Sequence, residues 1–418
     1  MTRLSLGSLA LIIFAAGTAG ADVVAIEDAT VHVRPGETLE GATVVIRDGV
    51  IEQVGDAAAP PEARRIDGDG RVVTSGFVDP YSRLGMVEVN DVSETNEGQF
   101  SSDLDEAIHA AYRVTDGYNP RSVAIPVART GGVTSAVAVP QGGIVAGAAA
   151  WMSLGAGADA RAATVQSPAA MMAALGDGAL EAGDGSRGFA AMRLRELLTD
   201  AAALADRRDA YERGQSRELA AGRLALEAME PVAGGEVPLV VTAHRASDVA
   251  VALDIAESFD LDLAITGATE AWIHADELAD AGVAVILDPL ANLPASFERA
   301  HARDDAARVL AEAGVPVAFS NAGRASAART LRQRAGNAVA RGMDWDDALA
   351  ALTTAPAAIY GVDDVGELAP GYRADVAVWS GDPFELGSHL EALFIGGQQQ
   401  PARTRQTELL ERYRDLGH

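Results

Sequence analysis

The sequence predicts an α/β protein, an eight-unit βα barrel beside a small β-sandwich built from both chain ends. Three observations carry that prediction. First, residues 238–320 alternate strictly: strands at 238–244, 261–266, 283–288 and 315–320 are separated by helices at 247–259, 270–281 and 301–313. Second, LADAGVAV at 278–285 is echoed by LAEAGVPV at 310–317, with Gly282 and Gly314 each ending a helix just before a parallel strand. Third, short alternating β patches with tight turns lie at both ends of the chain, and pieces of that size are marginal alone, so they are expected to pair.

Taken in order, residues 1–21 combine Arg3, an apolar run at 9–16 and Ala19-Gly20-Ala21, the pattern of a cleaved export signal. Periplasmic or secreted localisation follows as an expectation. Residues 22–74 read as hairpin strands, with Asp48-Gly49 as the strongest turn signal. Their partner is expected at 359–400, so that 22–74 plus 359–400 form the sandwich and 75–358 the barrel. Within the barrel, 77–83 is strand 1. Asn119-Pro120 opens a helix that Gly131-Gly132 closes, and 133–140 forms the next strand. A fourth strand should lie within residues 155–232, but no segment there reads as one. They read as a Gly/Ala/Asp loop followed by a helical insertion around 187–230 that replaces or covers part of the barrel. The tail, 401–418, pairs Glu408 with Arg412 and aligns Leu409, Tyr413 and Leu416, a docking helix for its own barrel or a second subunit.

Composition narrows the function. The net charge of -27 repels nucleic acid and anionic lipid surfaces, and no stretch beyond the leader is long and apolar enough for stable membrane insertion, so a small-molecule substrate is expected. Cysteine is absent, which removes disulfides and thiolate chemistry. Lysine is absent too; all 33 basic residues are arginine.

Barrel chemistry sits at the C-terminal ends of the strands. That rule nominates Tyr81 and Arg83 after strand 1, His244 and Arg245 after strand 5, Thr266 and Gly267 after strand 6, Asp288 after strand 7, and Ser320 and Asn321 after strand 8. Positions i and i+2 of a strand share a face, so Tyr81 and Arg83 should point into one pocket. Arg83 and Arg245 either bridge to acids or form a cationic floor suited to a carboxylate. Asp288 either caps the turn before Pro289 or takes part in catalysis, and His244 either satisfies a hydrogen bond or acts.

The segment SGFVDPYSRLG at 75–85 resembles the strand-1 signature of the amidohydrolase superfamily, with Tyr81 and Arg83 where that family places two histidines. VPVAFSNAG at 315–323, the 335–362 segment and GELAPGYRADVAVWSGDP at 366–383 resemble the family's usual ending, closest to its imidazolonepropionase-like branch. The resemblance implies a barrel binding one or two divalent metals through HxH, a strand-4 lysine or glutamate, histidines after strands 5 and 6, and an aspartate after strand 8. Only His244 matches that set; Thr266-Gly267-Ala268 replaces the strand-6 histidine and Asn321 the aspartate. A tight zinc site needs about three protein ligands, so no cofactor is expected. The alternatives are a displaced, oxygen-rich site for a divalent metal such as zinc on Asp79, Asp288 and Glu270, or a metal site on loop acids such as Glu88, Asp91 and Glu94.

The leading expectation is an exported hydrolase of carbon–nitrogen bonds in a small, anionic, cyclic amide-like molecule. In it His244 is the acid or base, Tyr81 and Arg83 polarise the carbonyl, Asn321 and Asp288 complete the catalytic set, and Arg245, Thr266, Gly267 and Ser320 bind substrate. The competing expectation is a catalytically silent binding or partner subunit, assembled with itself or with a metal-competent paralogue.

Overall fold

A computed structural model describes residues 23–414 except 57, 90–91, 101–106, 156, 158, 181, 183–184 and 214–218. The leader at 1–21, Asp91 and Leu416 therefore lie outside the described residues. The first strands are β1 (Val23–Arg34), β2 (Glu37–Arg47), β3 (Val50–Gly55), β4 (Arg64–Asp67) and β5 (Val72–Ser75). Then come β6 (Phe77–Ser82), β7 (Val133–Ala138), β8 (Val145–Ser153), β9 (Thr164–Ala174), β10 (Leu239–Ala243), β11 (Leu263–Gly267), β12 (Ala284–Leu287) and β13 (Val317–Phe319). The chain closes with β14 (Val376–Trp379), β15 (Leu390–Ile395) and β16 (Gln398–Gln399).

Strands β1 to β5 and β14 to β16 make one sheet, ordered β16-β15-β14-β5-β1-β2-β3 with β4 also on β1. The two chain ends meet where β5 pairs antiparallel with β14, Ser75 opposite Val376 and Val72 opposite Trp379. Asp48 and Gly49, at φ 52° and 86°, form the turn between β2 and β3, the left-handed pair that matches the twist of a two-residue hairpin.

The other sheet is a nearly closed barrel, β13-β12-β11-β10-β9-β8-β7-β6. Ala351 and Leu352 sit at the seam: the Phe319 amide donates to the Ala351 carbonyl at 2.9 Å and the Val78 amide to the Leu352 carbonyl at 2.8 Å. Strand 4, absent from the sequence reading, is β9, parallel to β10 from Met171 opposite Leu239 to Ala174 opposite Thr242. The helices Arg187–Glu212 and Arg223–Ala233 follow it and replace nothing. One strand departs from an all-parallel (β/α)8 barrel: β8 runs antiparallel to both β7 and β9. Only residues 139–144 separate β7 from β8, too few for the crossover of a dozen or more residues that a parallel pair requires.

Side chains alternate across the barrel wall. Val78, Val137, Val240, Ala264, Ile286 and Ala318 belong to one buried cluster with Trp151 and Tyr360, while Val241, Ile265, Val285 and Phe319 belong to another. Trp151 and Tyr360 meet edge to face at 6.1 Å, and the Tyr360 hydroxyl donates to the Pro80 carbonyl at 2.6 Å. At the C-terminus the helix Arg405–Arg414 buries none of its residues, leaving Leu410 and Tyr413 exposed, so of the two expected dockings the one on its own barrel is not formed. No helix among the described residues is long and apolar enough to cross a membrane.

Candidate active site at the barrel mouth

The alternation that fills the barrel also selects its mouth. Continuing the interior rows by two residues takes Val240 to Thr242 and His244, Ala264 to Thr266, Ile286 to Asp288 and Ala318 to Ser320. All five line one cavity of about 210 Å³, together with Tyr81, Gln141, Gly267, Ala291, Arg299 and Ala322. Gln141 arrives there because β7 turns directly back into β8 at the mouth.

Tyr81 faces the cavity through an irregularity in β6. The pairing with β7 slips between Asp79 and Ser82, which lets both Val78 and Tyr81 face inward. The Gln141 side-chain amide donates to the Tyr81 hydroxyl at 3.0 Å, and burial raises the phenol above its ordinary range, so it enters the site as a neutral donor.

His244 has both ring nitrogens engaged. Nδ1 lies 2.8 Å from Thr269 Oγ1 and Nε2 lies 3.0 Å from an Arg299 guanidinium nitrogen. Guanidinium only donates, so Nε2 is the acceptor and Nδ1 carries the proton toward Thr269. Burial and then the Arg299 charge push this imidazole down to about 4, keeping it neutral. The ring also rests against Gly267. His244 is thus at the mouth as expected, yet Arg299 covers the lone pair that a base would use.

The other nominated residues divide. Thr266, Gly267 and Ser320 line the cavity, with Ser320 Oγ also accepting from the Ala322 amide at 3.1 Å. Asp288 lines it too, but is held by Arg334, whose Nε donates to Oδ1 at 3.0 Å and whose second nitrogen lies 3.4 Å from Oδ2. Oδ1 also accepts from the Leu290 amide at 2.9 Å, so Asp288 is an ion-pair and turn residue and no free base.

Arg83, Arg245 and Asn321 are corrections, because none of them lines the cavity. The Arg83 guanidinium turns into the 96–99 loop, donating to Gln99 Oε1 at 3.0 Å, to the Glu97 carbonyl at 3.2 Å and to Asn96 Oδ1. Arg245 is one residue out of phase with the inward row and sits as the N-cap position of the helix Ala246–Phe259. Asn321, likewise out of phase, donates from Nδ2 to Asp79 Oδ2 at 2.9 Å with neither residue exposed. Arg299 is the cavity-lining cation that sequence reasoning missed. It comes from the long loop after β12, where no periodicity points inward.

The residues at the mouth do not make a set for the metal that the resemblance implies. Tyr81, Thr266 and Asn321 are weak ligands, and the matching imidazole meets a guanidinium that would repel a divalent cation. Nor do the members of the displaced sets stand free: Asp79 is tied to Asn321, Asp288 to Arg334, Glu270 to the Ala246 and His301 amides, and Glu88 to Asn119 and the Val123 amide, while Asp91 lies outside the described residues. Among the described residues no group of three or more His, Asp or Glu side chains could hold a metal ion.

Known proteins place the chain. The Amidohydrolase family profile matches residues 251–404. The amidohydrolase tasK of Hapsidospora irregularis is 24% identical over 396 residues, covering 85% of this chain and 39% of that protein, so the chain spans about two fifths of that relative's length. Among solved structures, an amidohydrolase from Thermotoga maritima MSB8 superposes with a TM-score of 0.82 at 27% identity, over 91% of this chain and 100% of that one. A prolidase complexed with N-methylphosphonate-L-proline superposes at 0.55 with 17% identity, over 91% and 100% of the two chains, a likeness of fold alone. Barrel, terminal segments and relatives agree in supporting the amidohydrolase superfamily for this chain, with the profile match confined to residues 251–404.

Proposed function

We propose that the chain is a hydrolase of carbon–nitrogen bonds other than peptide bonds, acting without a resident metal on a small anionic amide or cyclic amide at the barrel mouth. The observation that carries this reading is the convergence of His244, Tyr81 and Arg299 on one cavity with the hydroxyls of Thr242, Thr266 and Ser320. Water adds to the amide carbonyl carbon and gives its proton to His244 Nε2. The Tyr81 hydroxyl donates to the developing oxyanion, a role that suits a phenol held neutral by burial. Collapse of the tetrahedral intermediate breaks the C–N bond, and the proton on His244 passes to the leaving nitrogen.

The test is hydrolysis of a panel of N-acyl amino acids and cyclic amides in the presence of a strong chelator, with wild type beside His244→Ala. Turnover that survives chelation and falls at least a hundredfold in H244A supports the reading. Turnover that needs an added divalent metal, or that H244A leaves unchanged, overturns it. The second reading, a silent binding subunit, is favoured by Arg299 covering Nε2; ligand binding with no turnover on the whole panel would select it. Export belongs to the proposal as well, supported by the leader-like residues 1–21 and checked by whether the mature protein starts at Asp22. Assembly through the exposed face of the helix Arg405–Arg414 completes it, read by light scattering of wild type against Leu410→Asp.

A further inference from the structure

The cavity has an unusual electrostatic lining for so acidic a chain. Its single carboxylate, Asp288, is neutralised in place by Arg334. Arg299, by contrast, forms no ion pair with any carboxylate among the described residues, although acids outnumber basic residues 60 to 33 in the sequence. Its neighbour Glu298 is within reach of the Arg299 charge but does not pair with it: Oε2 accepts from the Asp177 amide at 3.0 Å and Oε1 stands 3.9 Å from His244 Nε2. The partner that Arg299 does have is a neutral imidazole, one hydrogen bond to a fork that carries five donors.

We infer that Arg299 anchors a carboxylate subsite, and that an arriving carboxylate takes the guanidinium away from His244 Nε2. A carboxylate accepts from guanidinium through two parallel bonds and brings a full opposite charge, whereas the neutral imidazole accepts one bond, so the exchange favours the anion over the imidazole. Thr242, Thr266 and Ser320 hydroxyls and the Gln141 amide supply neutral partners for the rest of the molecule. The exchange uncovers Nε2 only when an anion is seated, which couples recognition of the substrate class to release of the base. This inference rests on the barrel mouth being the ligand site, and adds to it the chemistry that the site selects.

The experiment titrates propionate and, separately, propionamide into the full-length protein by calorimetry, using wild type, Arg299→Gln, Arg299→Lys and His244→Ala. Propionate is expected to bind wild type at least tenfold more tightly than propionamide. R299Q should lose at least tenfold in propionate affinity with no change for propionamide. R299K keeps the charge and loses the fork, so it should fall between the two and controls for misfolding of R299Q. H244A removes the competitor for Arg299 and should bind propionate as tightly as wild type or severalfold tighter. Equal affinity for the two probes, or propionate binding unaffected by R299Q, overturns the subsite; weakening in H244A parallel to R299Q overturns the exchange. Propionate selectivity with no amide turnover would retain the subsite and sink the hydrolase reading. Turnover without selectivity would do the reverse.

Discussion

Asn321 and Asp79 are locked together beneath the barrel mouth: the amide Nδ2 donates to carboxyl Oδ2, while Oδ1 of each residue is buried with no hydrogen-bond partner. A proton on Asp79 would relieve this arrangement. Burial, opposed by hydrogen bonds from Ser82 and the Tyr81 backbone and by the more distant Arg334 charge, pushes Asp79 up to about 7. The same cause raises Asp375, next to the strand that joins the two chain ends, to about 6. Carboxyls raised in the folded state stabilise it fully below their unfolded value near 4, and that contribution is lost as pH rises through the folded values. Urea melts should therefore give a midpoint that falls from pH 5 to pH 8 and a slope that flattens in Asp79→Asn. A wild-type midpoint that rises over this window would contradict the protonated pair.

Asn321→Asp restores the residue type that the family resemblance places after strand 8, and tests the same pair differently. It removes the donor to Asp79 and sets two carboxyl groups against each other without exposure. A buried acceptor left unsatisfied costs about 1–3 kcal/mol, and the like-charge contact adds to this once both ionise. N321D should be less stable than wild type by at least that amount at pH 8 and by less at pH 5, measured by urea unfolding at both.

Breaking the Asp288–Arg334 pair separates a structural acid from a base. Both side chains are almost fully buried, at 4% and 6% exposure, so removing one partner strands the other charge. Asp288→Asn is expected to cost about 3–5 kcal/mol of stability. Were Asp288 instead the reacting base, the substitution would leave the melting transition near its wild-type position and abolish turnover selectively.

How much of this was legible in the residues depended on periodicity. The β10 to β13 half was readable because Val, Ile and Leu runs alternate with helices closed by glycine. Strands β8 and β9 were not, since AGAAAW and SPAAMMAA are built mostly from alanine, glycine, proline and methionine, types with weak strand preference that pack in a barrel wall only because it is buried on both sides. The strand-end rule found six of the residues lining the cavity. It misplaced Arg245 and Asn321, which are out of phase with the inward row by one residue, a parity that Val240 and Ala318 already define. Arg83 keeps the parity but has a side chain long enough to leave the cavity for the 96–99 loop. Arg299 had no signal at all, because a loop carries no period.

That loop contact gives the third kind of variant. Arg83 spends its donors on Asn96, Glu97 and Gln99, and Glu88 on the same excursion accepts from Asn119 and the Val123 amide. Arg83→Met should free the 96–99 segment at a cost of about 1–3 kcal/mol for the unpaired acceptors left behind. Hydrogen exchange is expected to speed up across residues 86–99 while propionate affinity stays within about twofold of wild type. A tenfold loss of propionate affinity would return Arg83 to the ligand site.

Gly267 sets the position of the His244 ring, and replacing it tests whether that position matters. Its backbone lies at φ +84°, where a side chain is strained at about 1–2 kcal/mol, and an added Cβ would stand 2.6 to 3.0 Å from three atoms of the imidazole. Those distances are too short to tolerate, so the ring must move away from Thr269 or from Arg299. Gly267→Ala is expected to lower stability by a few kcal/mol. In the folded protein, a ring that moves away from Arg299 no longer caps it. Propionate affinity should then be retained or increased, whereas amide turnover falls with the loss of His244 alignment. Such a split between binding and turnover is what separates a ring that competes for the anion site from one that merely packs beside it; parallel loss of both would mean that Gly267 only maintains the shape of the mouth.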